Sequence, residues 1–159
     1  MGAMLGLSKS RRASASAVEI IQVGGALMGS SPPVHDIPLA ANRSGNRVTI
    51  SGQGGASLPK ASGAHRFRFT LADPTGLDVE FSSLDTEDDR STCPPAPGEN
   101  STQIVGVTMG PQPRTAAFTD NNNNSGPMDV CYQWHFTCND PAVQVEPFDP
   151  IIRNGGGGP

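Results

Sequence analysis

Two short segments of the sequence are rich in the oxygen-bearing side chains that bind calcium. One is the acidic stretch Asp85-Thr-Glu-Asp-Asp89, and the other is Asp120-Asn-Asn-Asn-Asn124. Calcium accepts roughly six to eight carboxylate, amide and backbone oxygens, so two such loops at one end of a domain could bind it. Neither segment has the EF-hand spacing, because Arg90 and Ser125 stand where that motif requires glycine. The predicted calcium ligands are Asp85, Glu87, Asp88, Asp89, Asp120 and Asn122, and the alternative is that both segments are solvated polar loops.

The residues that could act as nucleophiles or bases are not spaced as in an enzyme. The sequence has no Gly-x-Ser-x-Gly motif, and its glycine-rich segment 24–30 lacks the lysine of a phosphate-binding loop. Cys131 and His135 are four residues apart, a spacing that in a strand leaves the two side chains beyond hydrogen-bonding distance. We therefore predict no catalytic residue and no cofactor other than calcium.

Three cysteines allow at most one disulfide within the chain. Cys131 and Cys138 are an odd number of residues apart, so a straight strand directs them to opposite faces and they cannot bridge each other. Cys93 lies in a proline-rich loop and is the remaining partner. A Cys93–Cys138 disulfide would attach the acidic loop to the last core strand. The alternative is three reduced thiols, with Cys138 as a small buried hydrophobe.

The elements that must position these groups are β-strands, and the strongest is at residues 128–138. This segment contains the only tryptophan and the only tyrosine of the chain. Its large apolar residues recur at every second position, which is typical of a strand with one buried face. The predicted inward-facing residues are Val130, Tyr132, Trp134, Phe136 and Cys138.

A predicted hairpin joins residues 64–71 to residues 77–83 through Asp73-Pro-Thr-Gly76. The proline fixes its own backbone dihedral and the glycine permits a positive φ, as a short loop requires. A single register of this hairpin places apolar residues opposite each other on one face and opposite charges across from each other on the other face. It predicts these cross-strand pairs: Leu71 with Leu77, Phe69 with Val79, Phe67 with Phe81 and, on the outer face, Arg68 with Glu80.

The outward faces of this hairpin and of the 128–138 strand together predict a polar binding surface. Its side chains suit contact with a protein or a carbohydrate, and the alternative is that they contact only water. The surface comprises Gln133, His135, Arg66 and Arg68.

The remaining segments predict further short strands with turns between them. A strand is expected at residues 47–51, a loop at 52–57, a second hairpin from 103–109 and 114–119, and a last strand at 142–146. Residues 18–46 are ambiguous, with a possible first strand at 18–23. This pattern predicts an all-β, single-domain antiparallel β-sandwich, Ig-like or jelly-roll-like, over residues 18–154. We expect residues 1–17 to be a disordered basic tail and residues 155–159 a flexible glycine-rich tail.

Charge and composition narrow the classes of function. The 159-residue chain has a net charge of −4, although Lys9, Arg11 and Arg12 lie in a segment without acids, so the remainder is more acidic still. An acidic body does not favour binding of nucleic acid. No apolar run reaches the roughly 18 residues of a membrane span. Apolar residues make up only 35% of the chain, so the core must be thin.

The stretch from about residue 48 to residue 154 resembles small uncharacterised bacterial proteins. The resemblance rests on the asparagine run, on the Cys131-Tyr-Gln-Trp-His-Phe136 strand and on the closing Phe148-Asp-Pro-Ile-Ile-Arg-Asn154. Those proteins end a β-rich domain with an Asp-Pro-Ile-x-Asn-like segment after an aromatic strand. The resemblance implies the β-rich fold and no functional residue.

These observations predict a non-enzymatic β-sandwich that serves as a binding or structural module. Its partner would be a protein or another copy of the chain. The alternative is a calcium-assisted carbohydrate-binding module that uses the 85–89 and 120–124 segments, and a small hydrolase is the third possibility.

Overall fold

The computed structural model describes residues 30–88, 93–110 and 114–155. Within these ranges the backbone forms ten β-strands and no helix. Accordingly, the described residues include no helix with the length and apolar character needed to cross a membrane. The strands are β1 (Val34–Ser44), β2 (Arg47–Gly52), β3 (Ala56–Leu58), β4 (His65–Ala72), β5 (Glu80–Asp88), β6 (Ile104–Met109), β7 (Thr115–Asp120), β8 (Met128–Thr137), β9 (Gln144–Val145) and β10 (Ile151–Asn154).

The strands form two sheets that pack against each other. The six-stranded sheet has the order β6-β7-β4-β1-β2-β9, and the four-stranded sheet has the order β3-β10-β8-β5. All ten strands belong to the compact unit Pro32–Pro159. The prediction of an all-β sandwich is therefore confirmed. The predicted disordered tail at 1–17, the predicted strand at 18–23 and residues 156–159 of the predicted glycine-rich tail lie outside the described residues.

Both sheets contain parallel as well as antiparallel neighbours. β1 pairs with β4 in parallel, β2 with β9 in parallel, and β3 with β10 in parallel. The other ladders are antiparallel. A parallel pair needs a longer connection than a hairpin, so the chain repeatedly crosses between the sheets instead of folding as a simple meander.

β1 is a long strand that the sequence pattern left ambiguous. Pro32 and Pro33 suggested a break, yet the strand begins directly after them and also contains Pro38. β2 pairs with β1 only from Leu39 onward, so Pro38 lies beyond the end of that ladder. A proline costs a sheet little where no neighbouring strand needs its N–H.

The predicted hairpin between residues 64–71 and 77–83 is wrong. Its first half is β4, which pairs with β1 and β7, and its second half leads into β5, which pairs with β8 in the other sheet. Phe69 and Phe81 still approach each other across the space between the sheets, with ring centroids 6.5 Å apart. Arg68 forms its ion pair with Asp36 of β1 and not with Glu80. Alternation along a strand identifies its buried face but not its neighbour.

Other local predictions hold. Residues 104–109 and 115–120 form the antiparallel β6–β7 pair, and the strand predicted at 47–51 is β2. The loop predicted at 52–57 ends sooner, because β3 starts at Ala56. The strand predicted at 142–146 is confined to the two residues of β9.

The core is a cluster of aromatic rings contributed by both sheets. Trp134 and Tyr132 of β8 are 0% exposed, as the alternation predicted. Phe69 of β4 lies between them, with ring centroids 5.5 Å from Trp134 and 5.7 Å from Tyr132. Phe118 of β7 lies 5.1 Å from Tyr132. These contacts place β8 opposite β4 and β7, so each sheet turns its other face outward.

Candidate functional site

A shallow groove of about 390 Å³ crosses the outer face of the six-stranded sheet over β1, β4, β7 and β6. On one side Arg68 forms a bidentate ion pair with Asp36, with N···O distances of 2.7 and 2.9 Å. Short side chains of β7 and β6 line the other part, which is why the surface is concave there. The principal lining residues are Asp36, Arg66, Arg68, Thr108, Thr115 and Ala117.

The groove ends at β6, which is an edge strand of the six-stranded sheet. Three apolar side chains of this strand are exposed: Val105 (41%), Val107 (45%) and Met109 (49%). The β6–β7 ladder shifts register between Val105 and Thr108, and Gly106 has a φ of +60° at this bulge. A bulge disrupts the ladder locally, and every residue of β6 after Ile104 is exposed.

The other sheet edges differ from β6 in length or in charge. β9 has two residues and β3 has three. β5 carries four carboxylates within nine residues. β6 has six residues without a charged side chain, so it lacks the charges that commonly prevent strands from pairing at sheet edges.

The polar surface predicted from the sequence does not form one face. Arg66 and Arg68 lie on β4 in the six-stranded sheet, whereas Gln133 and His135 lie on β8 in the four-stranded sheet. The two sets therefore lie on opposite outer surfaces of the sandwich. The prediction assumed that β4 and β5 form a hairpin in the same sheet as β8. β5 does pair with β8, but β4 lies in the other sheet.

Two predicted calcium ligands on β5 hold the chain segment that follows this strand. The Asp85 carboxylate accepts the backbone N–H of Gly98 at 3.3 Å and contacts Nε2 of His135 at 2.9 Å. Glu87 Oε2 accepts the backbone N–H of Ala96 at 2.9 Å. These contacts attach residues 96–98 to the outer face of the four-stranded sheet.

Asp88 has a similar role at the end of β5. Its carboxylate accepts the backbone N–H of Thr102 at 2.8 Å, the Thr102 hydroxyl at 2.6 Å and the Ser101 hydroxyl. Asp89, the fourth predicted ligand of this segment, lies outside the described residues. The described acids of the 85–89 segment are thus engaged as hydrogen-bond acceptors.

Asp120, which ends β7, lies in a buried cluster of amide side chains. Asn122 and Asn124 follow it in the β7–β8 loop, and Asn154 ends β10. Asp120, Asn122 and Asn154 are 0% exposed, and Asn124 is 6% exposed. Asp120 Oδ1 accepts the backbone N–H of Asn122 at 3.0 Å and Nδ2–H of Asn154 at 3.2 Å. The predicted ligands Asp120 and Asn122 therefore lie together, beside two residues that were not predicted.

Burial dominates the electrostatics of this cluster. It raises the pKa of Asp120, while hydrogen bonds from Asn154 and from the backbone of Asn122, and the charge of His65, oppose that rise. The negative charge of Asp88 adds to it. An ionised carboxylate is costly at this position, and a positive charge beside it would offset the cost.

The sequence analysis did not predict two residues of this buried cluster, Asn124 and Asn154. Only one of them carried a signal in the sequence. Asn124 belongs to the same asparagine run as Asn122, so its place in the run was a usable signal. Asn154 lies 34 residues from Asp120 and carried no local signal. Across the described ranges, no three His, Cys, Asp or Glu side chains gather where they could hold a metal ion. A cation bound by the described residues would therefore need amide or backbone oxygens among its ligands.

A chain of hydrogen bonds joins Ser62, His65 and His35. Ser62 Oγ is 2.9 Å from His65 Nε2, and His65 Nδ1 is 3.0 Å from His35 Nε2. Burial and the neighbouring charge of His65 lower the pKa of His35. The distances suit a nucleophile and a base, but Ser62 Oγ also accepts Nδ2–H of Asn122 at 2.7 Å. Neither Ser62 nor His65 lines the groove over β1, β4, β7 and β6.

The three cysteines are thiols, so the predicted Cys93–Cys138 disulfide is wrong. Cys138 Sγ donates to the carbonyl oxygen of Asp140 at 3.3 Å. Cys93 Sγ donates to the carbonyl oxygen of Pro150 at 3.3 Å and lies beside Cys131. Burial, with the nearby Cys131 thiol, raises the pKa of Cys93. The chain folds Cys93 over the outer face of β8, whereas Cys138 follows the end of that strand.

Comparison with known proteins adds no assignment: no protein-family model matches the chain, and no curated protein matches it. The resemblance to small bacterial β-rich proteins stays a prediction.

Proposed function

We propose that the protein is a non-enzymatic β-sandwich module that binds a second copy of itself along the β6 edge. The observation that supports this proposal is the set of three exposed apolar side chains, Val105, Val107 and Met109, on an uncharged edge strand. An edge strand presents backbone donors and acceptors that another strand can satisfy, and its exposed side chains provide specificity.

A second copy is the partner that this edge fits best. Antiparallel pairing of β6 with itself is symmetric, so the same patch serves on both subunits and the assembly closes as a dimer. The chain is acidic overall, and two copies repel each other least where they meet through an uncharged strand. The bulge at Gly106 shortens the stretch that can pair, so the dimer is weak and depends on concentration.

The test is to measure molar mass by sedimentation velocity over about a hundredfold range of protein concentration. We expect the wild-type mass to rise towards that of a dimer. Val107→Lys places a charge on each copy at the paired edge and should keep the protein monomeric. Val34→Lys is the matched control, because Val34 is also exposed (46%) but lies on β1.

Three outcomes contradict the proposal. The first is a wild-type protein that stays monomeric at every concentration, and the second is a Val107→Lys variant that associates as the wild type does. Reduced association in both lysine variants would also contradict it, because the effect would then not be specific to β6.

The alternative of a calcium-assisted carbohydrate-binding module ranks second. It needs the 85–89 and 120–124 segments to present ligands at one exposed site. The side chains of Asp120 and Asn122 are enclosed, and Asp85 and Glu87 hold the 96–98 segment, which argues against a sugar bound through calcium at these residues.

A further inference from the structure

The buried cluster that surrounds Asp120 contains four side-chain oxygens that accept no hydrogen bond from any described residue. Each oxygen is inaccessible to solvent, and each belongs to a residue that is at least nine-tenths buried. A buried acceptor that lacks a donor destabilises the folded state, so four in one cluster require an explanation. The four atoms are Asp120 Oδ2, Asn122 Oδ1, Asn124 Oδ1 and Asn154 Oδ1.

The amide orientations that leave these oxygens without donors are fixed by the surrounding carbonyls. Asn122 Nδ2 donates to the carbonyl oxygen of Pro59 at 2.8 Å. Asn124 Nδ2 donates to the carbonyl oxygens of Gly126 and of Asn154. Rotating either amide by half a turn would place its oxygen against a carbonyl oxygen, which is repulsive.

The third amide is fixed in the same way by the carboxylate. Asn154 Nδ2 donates to Asp120 Oδ1 at 3.2 Å, so its Oδ1 must point elsewhere. These hydrogen bonds also link the four groups directly: Asn122 and Asn154 both bond to Asp120, and Asn124 bonds to the backbone of Asn154. The cluster is therefore one connected unit built from β7, the β7–β8 loop and the end of β10.

We propose that Asp120, Asn122, Asn124 and Asn154 form a calcium site that fastens the β7–β8 loop to the end of β10. Calcium is the hard cation that accepts carboxylate and amide oxygens in irregular arrangements, whereas magnesium requires a stricter octahedron and retains its waters. A positive ion bound within the cluster would provide a partner for oxygens that lack a donor and would neutralise the buried carboxylate.

The site has a structural role and a modest affinity. Its ligands are enclosed, so the ion does not contact a ligand in solution. The cluster contains one carboxylate among three neutral amides, and calcium binds more weakly when fewer of its ligands are charged. We therefore expect a dissociation constant in the weak range of about 10⁻⁴ to 10⁻³ M.

The first experiment measures the melting temperature of the full chain after treatment with a chelator. Calcium chloride is compared with magnesium chloride and with sodium chloride at matched ionic strength. We expect calcium at about a hundred times its dissociation constant to raise the melting temperature by about 5 °C or more, because an ion that binds only the folded state stabilises it. Magnesium and sodium should have little effect.

A pair of variants tests which oxygens bind the ion. Asn124→Asp replaces a neutral ligand by a charged one, so we expect calcium to bind about tenfold more tightly by isothermal titration calorimetry. Asn123→Asp is the matched control, because Asn123 lies next to Asn124 but is exposed. Its calcium affinity should equal that of the wild type.

If Asn124→Asp does not fold, a crystal structure of the wild-type protein grown with calcium still shows whether the four oxygens bind the ion. We expect an ion about 2.3–2.6 Å from the four oxygens. Three results would overturn the proposal: ordered water in place of the ion, no shift in melting temperature that is specific to calcium, or equal responses of the two aspartate variants. None of these measurements depends on self-association through β6.

Discussion

Asp73 shows how one carboxylate can organise a connection that has no regular structure. Its Oδ1 accepts the backbone N–H of Thr75 at 3.0 Å, and its Oδ2 accepts the backbone N–H of Val79 at 2.9 Å. Arg114 Nη2 lies 3.6 Å from Oδ2, and the Asp73 side chain is 0% exposed. Burial by itself would raise the pKa of Asp73, but the hydrogen bonds from Thr75 and Val79 and the charge of Arg114 together lower it.

We predict that Asp73→Asn lowers the free energy of unfolding at neutral pH by about 1–3 kcal/mol, because the amide loses one of the acceptors that the buried donors need. A lowered folded-state pKa contributes stability above the unfolded-state pKa and loses it as the pH falls through the folded-state pKa. The difference in the free energy of unfolding between the wild type and the variant should therefore shrink below about pH 4. Urea denaturation at several pH values from neutral to acid measures this difference.

Asp78→Asn is the control for this prediction, because Asp78 contacts the same arginine at 3.1 Å but its side chain is 63% exposed. An exposed ion pair contributes little, about 0–1 kcal/mol, so this variant should stay close to the wild type. If the stability lost in Asp73→Asn stays constant down to acid pH, the ionised carboxylate does not have the stabilising role assigned to it.

At the residue scale, composition indicated the buried polar cluster only in part. The sequence predicted Asp120 and Asn122 as ligands because oxygen-rich side chains follow one another there. It could not predict Asn154, because the two strands that bring it to Asp120 are far apart in the chain. The acids at 85–88 had the same composition, yet nearby backbone N–H groups engage them.

At the element scale, the strand faces were predictable and the strand neighbours were not. Phe67, Phe69 and Leu71 are buried, as alternation required. The same residues could form a core with either the 77–83 segment or β7, because both offer apolar side chains at every second position. The turn at Asp73-Pro-Thr-Gly76 suggested the nearer strand, but β5 joins the opposite sheet.

The connection between β2 and β3 is the first place where the chain passes from one sheet to the other, and it packs tightly. Gly54 lies in this connection, and its carbonyl oxygen accepts the hydroxyl of Tyr132 at 2.7 Å. A Cβ at Gly54 would lie 2.6 Å from Cγ of Pro150 and 2.7 Å from Cε1 of Phe148, and it would also meet the Tyr132 hydroxyl. The crossing therefore requires a residue without a side chain.

We predict that Gly54→Ala lowers the free energy of unfolding by about 1–3 kcal/mol, because the added methyl group forces two rings and a proline to move. Chemical denaturation followed by far-UV circular dichroism measures the loss. Gly126→Ala is the matched control, because a Cβ at Gly126 meets nothing within 4 Å. If Gly54→Ala is no less stable than Gly126→Ala, the crossing is not packed as described.

At the scale of the whole molecule, a small number of aromatic residues joins the two sheets. Aromatic residues are only 5% of the chain, yet five of them make contacts across the sandwich. The alternation at residues 128–138 correctly located the centre of the core. Because one cluster serves both sheets, neither sheet has an apolar core of its own. The residues of the cluster are Phe69, Phe81, Phe118, Tyr132 and Trp134.

We therefore predict that the two sheets unfold together. Trp134 is the only tryptophan, it is 0% exposed, and its indole N–H has no hydrogen-bond partner among the described residues, so native emission should be at short wavelength and resist quenching by acrylamide. In urea, the transition followed by Trp134 fluorescence should coincide with the transition followed by far-UV circular dichroism, as in a two-state protein. A fluorescence transition that precedes the loss of strand signal would mean that the sheets separate before either unfolds, and the shared aromatic core would not be what holds them together.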